Sequence, residues 1–237
     1  MDNGSNEPGG PLVAVSASTE VMRHPEAGEH LLGPTERQRA ARFRQEEARQ
    51  DYVAAHVLVR ICAARVLGVE AAALTLAQQC PDCGDHGHGK PYLAGHPEIH
   101  VSLSHTHGVV AAAAGHHPVG VDVELPGRTG TAVEVFERVL AEAELKLVQA
   151  HPDPGRAFLR QWVRKEALIK IGRTTLDTLG ELDLSALPLD TPAGLPLHSK
   201  YEDLYLLDWQ DDTGTGATVC AAATRPPHLA TPAALAP

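Results

Sequence analysis

The sequence predicts an α+β fold. Two observations carry this: alternating strand patterns and three-to-four-residue helical patterns occur in the same chain, and the order strand, helix, strands appears once before residue 118 and again after it. With 237 residues the chain is long enough for one large domain or two small ones with a real core. Only 4% of residues are aromatic, so alanine and leucine must fill much of the interior.

The elements follow in order. Residues 1–11 are polar and glycine-rich and read as disordered. Leu12 to Ser16 reads as a short strand. Pro34 and Thr35 open a helical region, with Thr35 and Gln38 at capping-box spacing. From Tyr52 the apolar positions Ala55, Val59, Cys62 and Val66 recur at helical steps, and Gly68 supplies a stop, which predicts a long amphipathic helix. Leu74 to Gln79 reads as a strand, followed by a glycine-rich loop from Cys80 to Pro91. Ile99 to Leu103 and Val109 to Ala114 read as strands flanking a turn-like insert, Ser104 to Gly108. A strand around Asp122 leads into a loop over residues 126–131 and one helix from Val133 to Gln149. His151 to Gly155 breaks the chain before a second helix, about Arg156 to Ile171. Leu204 to Trp209 and Ala217 to Ala223 read as a hairpin across Gln210 to Gly216. Residues 225–237 read as a flexible Pro/Ala-rich tail. The organisation expected is thus 1–11, a half over 12–118, a half over 119–224, and the tail.

Charge and composition exclude several classes. A net charge of −10 argues against a general nucleic-acid binder, which needs a broad positive field. No apolar run is long enough to span a membrane. The N-terminus has no secretory pattern, and four cysteines without an export signal point to the reducing cytoplasm. Seven arginines between Arg37 and Arg65 form a local cationic stretch that suits a compact polyanion such as a nucleotide.

Two segments carry chemistry. In Gly120-Val121-Asp122-Val123-Glu124, strand alternation puts Asp122 and Glu124 on one face while Val121 and Val123 point into a core. In Trp162-Val163-Arg164-Lys165-Glu166-Ala167-Leu168-Ile169-Lys170, Glu166 and Lys170 lie four apart on one helix face. Three carboxylates and an ammonium converging on one spot suit a hard divalent cation bound to a substrate phosphate.

In this order and spacing the two segments resemble the signature motifs of the 4′-phosphopantetheinyl transferases, G-[VI]-D-[VI]-E and W-x-x-K-E-A-x-x-K. The match extends over roughly residues 30–222 and is closest to the monomeric, surfactin-synthetase-activating type. The resemblance implies two similar α+β halves with the active site between them. It implies transfer of 4′-phosphopantetheine from coenzyme A to a serine of an acyl or peptidyl carrier protein, releasing 3′,5′-adenosine bisphosphate. Asp122, Glu124 and Glu166 then look like ligands of Mg²⁺, and Lys170 would neutralise charge on the phosphate. The base for the serine is Glu166, directly or through water, or Glu144 on the preceding helix. Gly89-Lys90-Pro91 matches the family's G-[KR]-P beside the adenine. Ser102-Leu103-Ser104-His105 matches [N/S]-L-S-H, which makes Ser104 and His105 phosphate contacts. Arg39 and Arg49 match basic positions near the 3′-phosphate. Lys165, about 100° round the helix from Glu166, is a further contact to coenzyme A. Glu36 and Asp51 depart from the family, standing where similar enzymes often carry Lys and Arg. The segment after Lys170 lacks the usual second glycine.

Two rival readings stay open. Cys80, Cys83, His86 and His88 have zinc potential, which would suit a zinc-stabilised interaction module. Another Mg²⁺-dependent phosphoryl enzyme could use the same carboxylates without a carrier, although the chain has no Walker-type glycine loop.

Overall fold

The computed structural model describes residues 9–80, 84, 89–127, 133–190, 195–210, 215–230 and 235. Residues 1–8 of the expected disordered N-terminus lie outside these, as do Cys83, His86 and His88 and parts of the loops expected over 80–91, 126–131 and 210–216.

The fold is α+β. Strand β1 (Leu12–Ala17) runs into a short helix α1 (Ser18–Val21), then α2 (Pro34–Ala40) and the long α3 (Glu46–Leu67). The hairpin β2 (Leu76–Gln79) and β3 (Lys90–Leu93) stands apart as a two-stranded sheet. Strands β4 (His100–Thr106), β5 (Val109–Gly115) and β6 (Val119–Glu124) follow. Helices α4 (Val133–Val139), α5 (Glu142–Ala150) and α6 (Pro154–Ile171) lead to β7 (Leu197–Tyr201), β8 (Leu204–Gln210), β9 (Thr218–Ala223) and β10 (His228–Leu229).

Two four-stranded sheets form the body, ordered β10-β1-β5-β4 and β6-β9-β8-β7. Strand alternation explains the layering. On β1, Leu12 and Ala14 pack with α3 while Val13 faces the other way, into a core shared with Val121, Val123, Val219 and Ala221 of the second sheet. Leu204, Leu206, Cys220 and Ala222 face α6. The layers therefore run α3, first sheet, second sheet, α6. The runs Ala111–Ala114 and Ala221–Ala223 are fully buried, and their small side chains let these layers stack with few aromatic residues.

Several expectations are corrected. Helix α3 is buried on nearly all sides from Asp51 to Ala64, not along one stripe, because the sheet covers one side and α1 and α2 cover others. Gly68 ends it with φ 67°, the left-handed stop the sequence indicated. At α2 the first turn is closed by Glu36, whose Oε2 accepts from Gly33 N at 2.6 Å, rather than by Thr35 and Gln38. The expected helix over 133–149 is two helices, with Ala141 N bonded by Glu144 at the break. Lys90 and Pro91 lie on a strand rather than in a loop, opposite Gln79 and Gln78. The short edge strand β7 was not foreseen. Residues 225–237 were expected as a flexible tail, but His228 and Leu229 pair with β1 in parallel. Beyond them, the Leu235 carbonyl accepts from Arg65 and lies 2.7 Å from His24 Nε2.

Candidate active site

Strand β4 is longer than the sequence suggests. Ser104 and His105 belong to it, and only His107 and Gly108 form the turn, with Gly108 at φ 73°. Asp51 of α3 pins this turn: its carboxylate accepts from Gly108 N at 3.1 and 3.0 Å and from Ser18 Oγ at 2.5 Å. Glu36, the other departure from the family pattern, is likewise committed. It binds the buried Arg60 through both oxygens at 2.9 and 2.5 Å. Both acids serve the fold at places where a nucleotide contact was expected.

The two signature segments meet at Gly120. A Cβ there would lie 2.1 Å from Ala167 O and 2.9 Å from Ile171 N, so only glycine lets β6 cross α6 this closely. The close crossing brings Lys170 Nζ to Val121 O at 2.9 Å and to Asp122 Oδ1 at 2.7 Å. Asp122 is 5% exposed, because α6 covers the face of β6 that carries it. Its Oδ2 is buried without a hydrogen-bond partner.

Strands β4 and β6 belong to different sheets, and hydroxyls at alternate positions of β4 join them. Ser102 Oγ accepts from Val121 N at 3.0 Å, Ser104 Oγ donates to Asp122 Oδ1 at 2.7 Å, and Thr106 Oγ1 donates to Glu124 Oε2 at 3.1 Å. The sequence reading missed Ser102 and Thr106 in this role, although S-x-S-x-T is a period-two signal that places all three on one strand face.

Glu166 is half-buried beside these groups. Burial raises its carboxyl pKa first, the Asp122 charge raises it further, Lys170 opposes, and Glu124 adds a smaller push. His105 is held below the usual imidazole range, chiefly by desolvation; Asp51 opposes, and Lys170 and Arg39 add to the lowering. A cleft of about 570 Å³ opens here, lined by His105, Thr106 and His107 from the first sheet and by Glu124, Phe158 and Trp162 from the C-terminal half.

Other expected site residues lie elsewhere. Lys165 and Glu144 form an ion pair at 2.8 Å with neither side chain exposed. Lys165 Nζ also donates to Leu179 O at 2.7 Å and Leu182 O at 2.6 Å, which uses all three of its protons. Glu144 also accepts from Ala141 N and Leu184 N. Neither can then act as the coenzyme A contact or the base the sequence suggested, since both are sealed from solvent and already bonded. Arg39 lies over the Tyr52 ring, 5.8 Å from its centroid, and lines a 190 Å³ pocket with Thr35, His56 and Gln78, the last paired with Pro91. Arg49 lines a different, 340 Å³ pocket and pairs with Glu29 and Glu46. The two arginines are not brought to one spot.

No group of three or more His, Cys, Asp and Glu among the described residues is arranged to hold a metal ion, with Lys170 on one oxygen of Asp122. The chemistry of the donors nevertheless fits a divalent cation. Three carboxylates lie together, one oxygen is buried without a partner, and the neighbouring charges disfavour ionisation of Glu166. Of the possible zinc ligands only Cys80 falls among the described residues, where it is buried.

Residues 118–223, which span β6 to β9, match the sequence model of the 4′-phosphopantetheinyl transferase superfamily. Both signature segments fall inside the matched region. The chain is similar to a Bacillus subtilis protein named 4′-phosphopantetheinyl transferase, 26% identical over 188 residues, 78% of this chain and 80% of the relative. It is also similar to the 4′-phosphopantetheinyl transferase Sfp of Bacillus subtilis strain 168, 23% identical over 194 residues, 81% and 83% of the two chains. The two segments of that matched region meet where β6 and α6 cross. Among the described residues no helix is long and apolar enough to cross a membrane.

Proposed function

We propose that this protein is a transferase that moves the 4′-phosphopantetheine arm of coenzyme A to a serine of acyl or peptidyl carrier domains, with Mg²⁺ held by Asp122, Glu124 and Glu166. The partnerless buried Oδ2 of Asp122, amid an excess of carboxylate over ammonium, carries this reading. When bound, the cation would neutralise the pyrophosphate and polarise it toward attack.

The carrier serine oxygen bonds to the phosphorus that bears pantetheine. The bond from that phosphorus to the oxygen it shares with the adenosine phosphate breaks, and 3′,5′-adenosine bisphosphate leaves. Glu166 takes the serine proton, directly or through water; burial, then the Asp122 charge, raises its pKa and so its basicity. Lys170 meets the charge that grows on the leaving oxygen. His105 contacts the pyrophosphate from the cleft wall. Arg39, with Lys90 and Pro91 on the neighbouring hairpin, holds the nucleotide end, and Arg49 lies too far round α3 to share that pocket. The enzyme acts as a monomer in the cytoplasm, and residues 12–118 and 119–224 supply the two sides of the cleft.

Incubation with coenzyme A, Mg²⁺ and a panel of apo carriers, read by mass spectrometry, tests the reading. A gain of one phosphopantetheine arm, abolished by EDTA, is expected. No gain on any carrier would refute it.

A further inference from the structure

Asp122 receives two donors on the same oxygen. Lys170 Nζ and Ser104 Oγ each lie 2.7 Å from Oδ1, while Oδ2 is buried with no donor. A serine hydroxyl has one proton, and that of Ser104 is given to Asp122, so Ser104 is not also a donor to a phosphate oxygen. Two residues on, Thr106 makes the corresponding bond to Glu124. No backbone ladder ties β4 to β6, since they lie in different sheets. The hydroxyls fix these carboxylates relative to the first sheet.

We propose that Ser104, assisted by Thr106, is a positioning residue: it turns the Asp122 carboxylate so that Oδ2 is the oxygen presented to the cation. This rests on the cation assignment proposed above and reassigns Ser104 from substrate contact to support of a ligand. Hydrogen-bond partners of metal ligands typically alter metal affinity by about 10- to 100-fold when removed. Ser102 provides an internal control. It lies on the same strand face, but bonds a backbone N–H and touches no carboxylate.

The test is direct titration of the full chain with Mn²⁺ alone, followed by electron paramagnetic resonance, alongside melting temperatures and the KM for coenzyme A. Ser104→Ala should weaken Mn²⁺ binding about tenfold, with the melting temperature within about 2 °C and KM for coenzyme A unchanged. Ser104→Thr, which keeps the hydroxyl, should restore most of the affinity. Ser102→Ala should lower the melting temperature, because Val121 N–H loses its acceptor, and leave Mn²⁺ affinity within about twofold. Unchanged Mn²⁺ affinity in Ser104→Ala with a raised KM for coenzyme A would overturn the proposal in favour of a phosphate contact. Equal losses in Ser102→Ala and Ser104→Ala would overturn it in favour of a loosened seam. If the wild-type chain binds no Mn²⁺ and Asp122→Ala changes nothing, the cation assignment fails and the inference with it. If Asp122→Ala abolishes binding while Ser104→Ala does not weaken it, the inference alone fails.

Discussion

Helix α6 serves two charge clusters that differ in how fully their polar atoms are satisfied. Toward α5, Lys165 and Glu144 spend every available bond on each other and on nearby backbone, and neither is exposed. Arg164 of the same helix and Asp208 of β8 are also closed off, with Arg164 Nε and a terminal nitrogen both bonded to the carboxylate. Toward β6, one turn further along, Lys170 meets a surplus of carboxylates, and an oxygen of Asp122 is left over. The first arrangement holds elements together; the second is electrostatically incomplete and suits an added cation. Motif membership alone does not separate them, since Lys165 and Lys170 occur in the same nine-residue segment.

The comparison breaks most decisively at Asp122. Asp122→Ala should reduce turnover at least about 10³-fold, the several kcal/mol expected of a lost cation site, while the melting temperature moves only slightly. Near-normal turnover in Mg²⁺ would remove the distinction between the clusters. On the closed side, Lys165→Met should destabilise the fold by about 3–5 kcal/mol in a denaturant titration, because it leaves Glu144 charged and buried without its counter-charge. Adding Glu144→Leu should recover much of that loss. If the single variant unfolds like wild type, the cluster is not structural.

Lys170→Ala should lower kcat about 10²–10³-fold with a small change in melting temperature, as for a contact strengthened in the transition state. A surface ion pair would instead leave kcat intact.

His56 gives a second contrast, since its Nε2 is also buried without a hydrogen bond, with Glu36 Oε1 3.9 Å away, yet on a neutral ring. Its Nδ1 lies 2.8 Å from Tyr52 O, and burial lowers its pKa to about 4. The unfolded chain protonates this residue near pH 6.5 and the folded chain does not, so stability should fall as pH drops from 6.5 toward 4. The loss from this residue approaches about 3 kcal/mol at the acid end. His56→Phe should flatten that part of the pH–stability curve; an unchanged slope would assign it to other groups. The smallest effect is expected at Arg49. Its pairs with Glu29 and Glu46 lie at the surface, so Arg49→Ala should change stability by under about 1 kcal/mol and leave KM for coenzyme A nearly unchanged, whereas Arg39→Ala should raise it. Equal increases would place both arginines on the nucleotide.

What was legible in the sequence follows local periodicity. The shared faces of Asp122 with Glu124 and of Glu166 with Lys170 need only the strand and helix repeats, and β6 and α6 bear them out. The stop at Gly68 and the β8–β9 hairpin are equally local. Burial was not legible. Lys165 looks like any helix lysine until the segment carrying Leu179 and Leu182 closes over it, and α3 looks amphipathic until its polar side is covered. Glu36 and Asp51 appeared as gaps in a basic patch because their partners, Arg60 and Gly108, lie 24 and 57 residues away. Short strands such as β7 and β10 were missed because too few residues alternate to give a signal.

The pairing of β10 with β1 bears on how the chain emerges during synthesis. Residues 12–115 can assemble three strands of the first sheet as soon as they are available, but the outer edge of β1 at Leu12 and Val13 stays open until residues 228–230 arrive. An open strand edge is a template for pairing with another chain. Until β10 emerges, then, Leu12 and Val13 present an uncapped strand edge, so ribosome stalling within residues 119–227 leaves that edge exposed to aggregation.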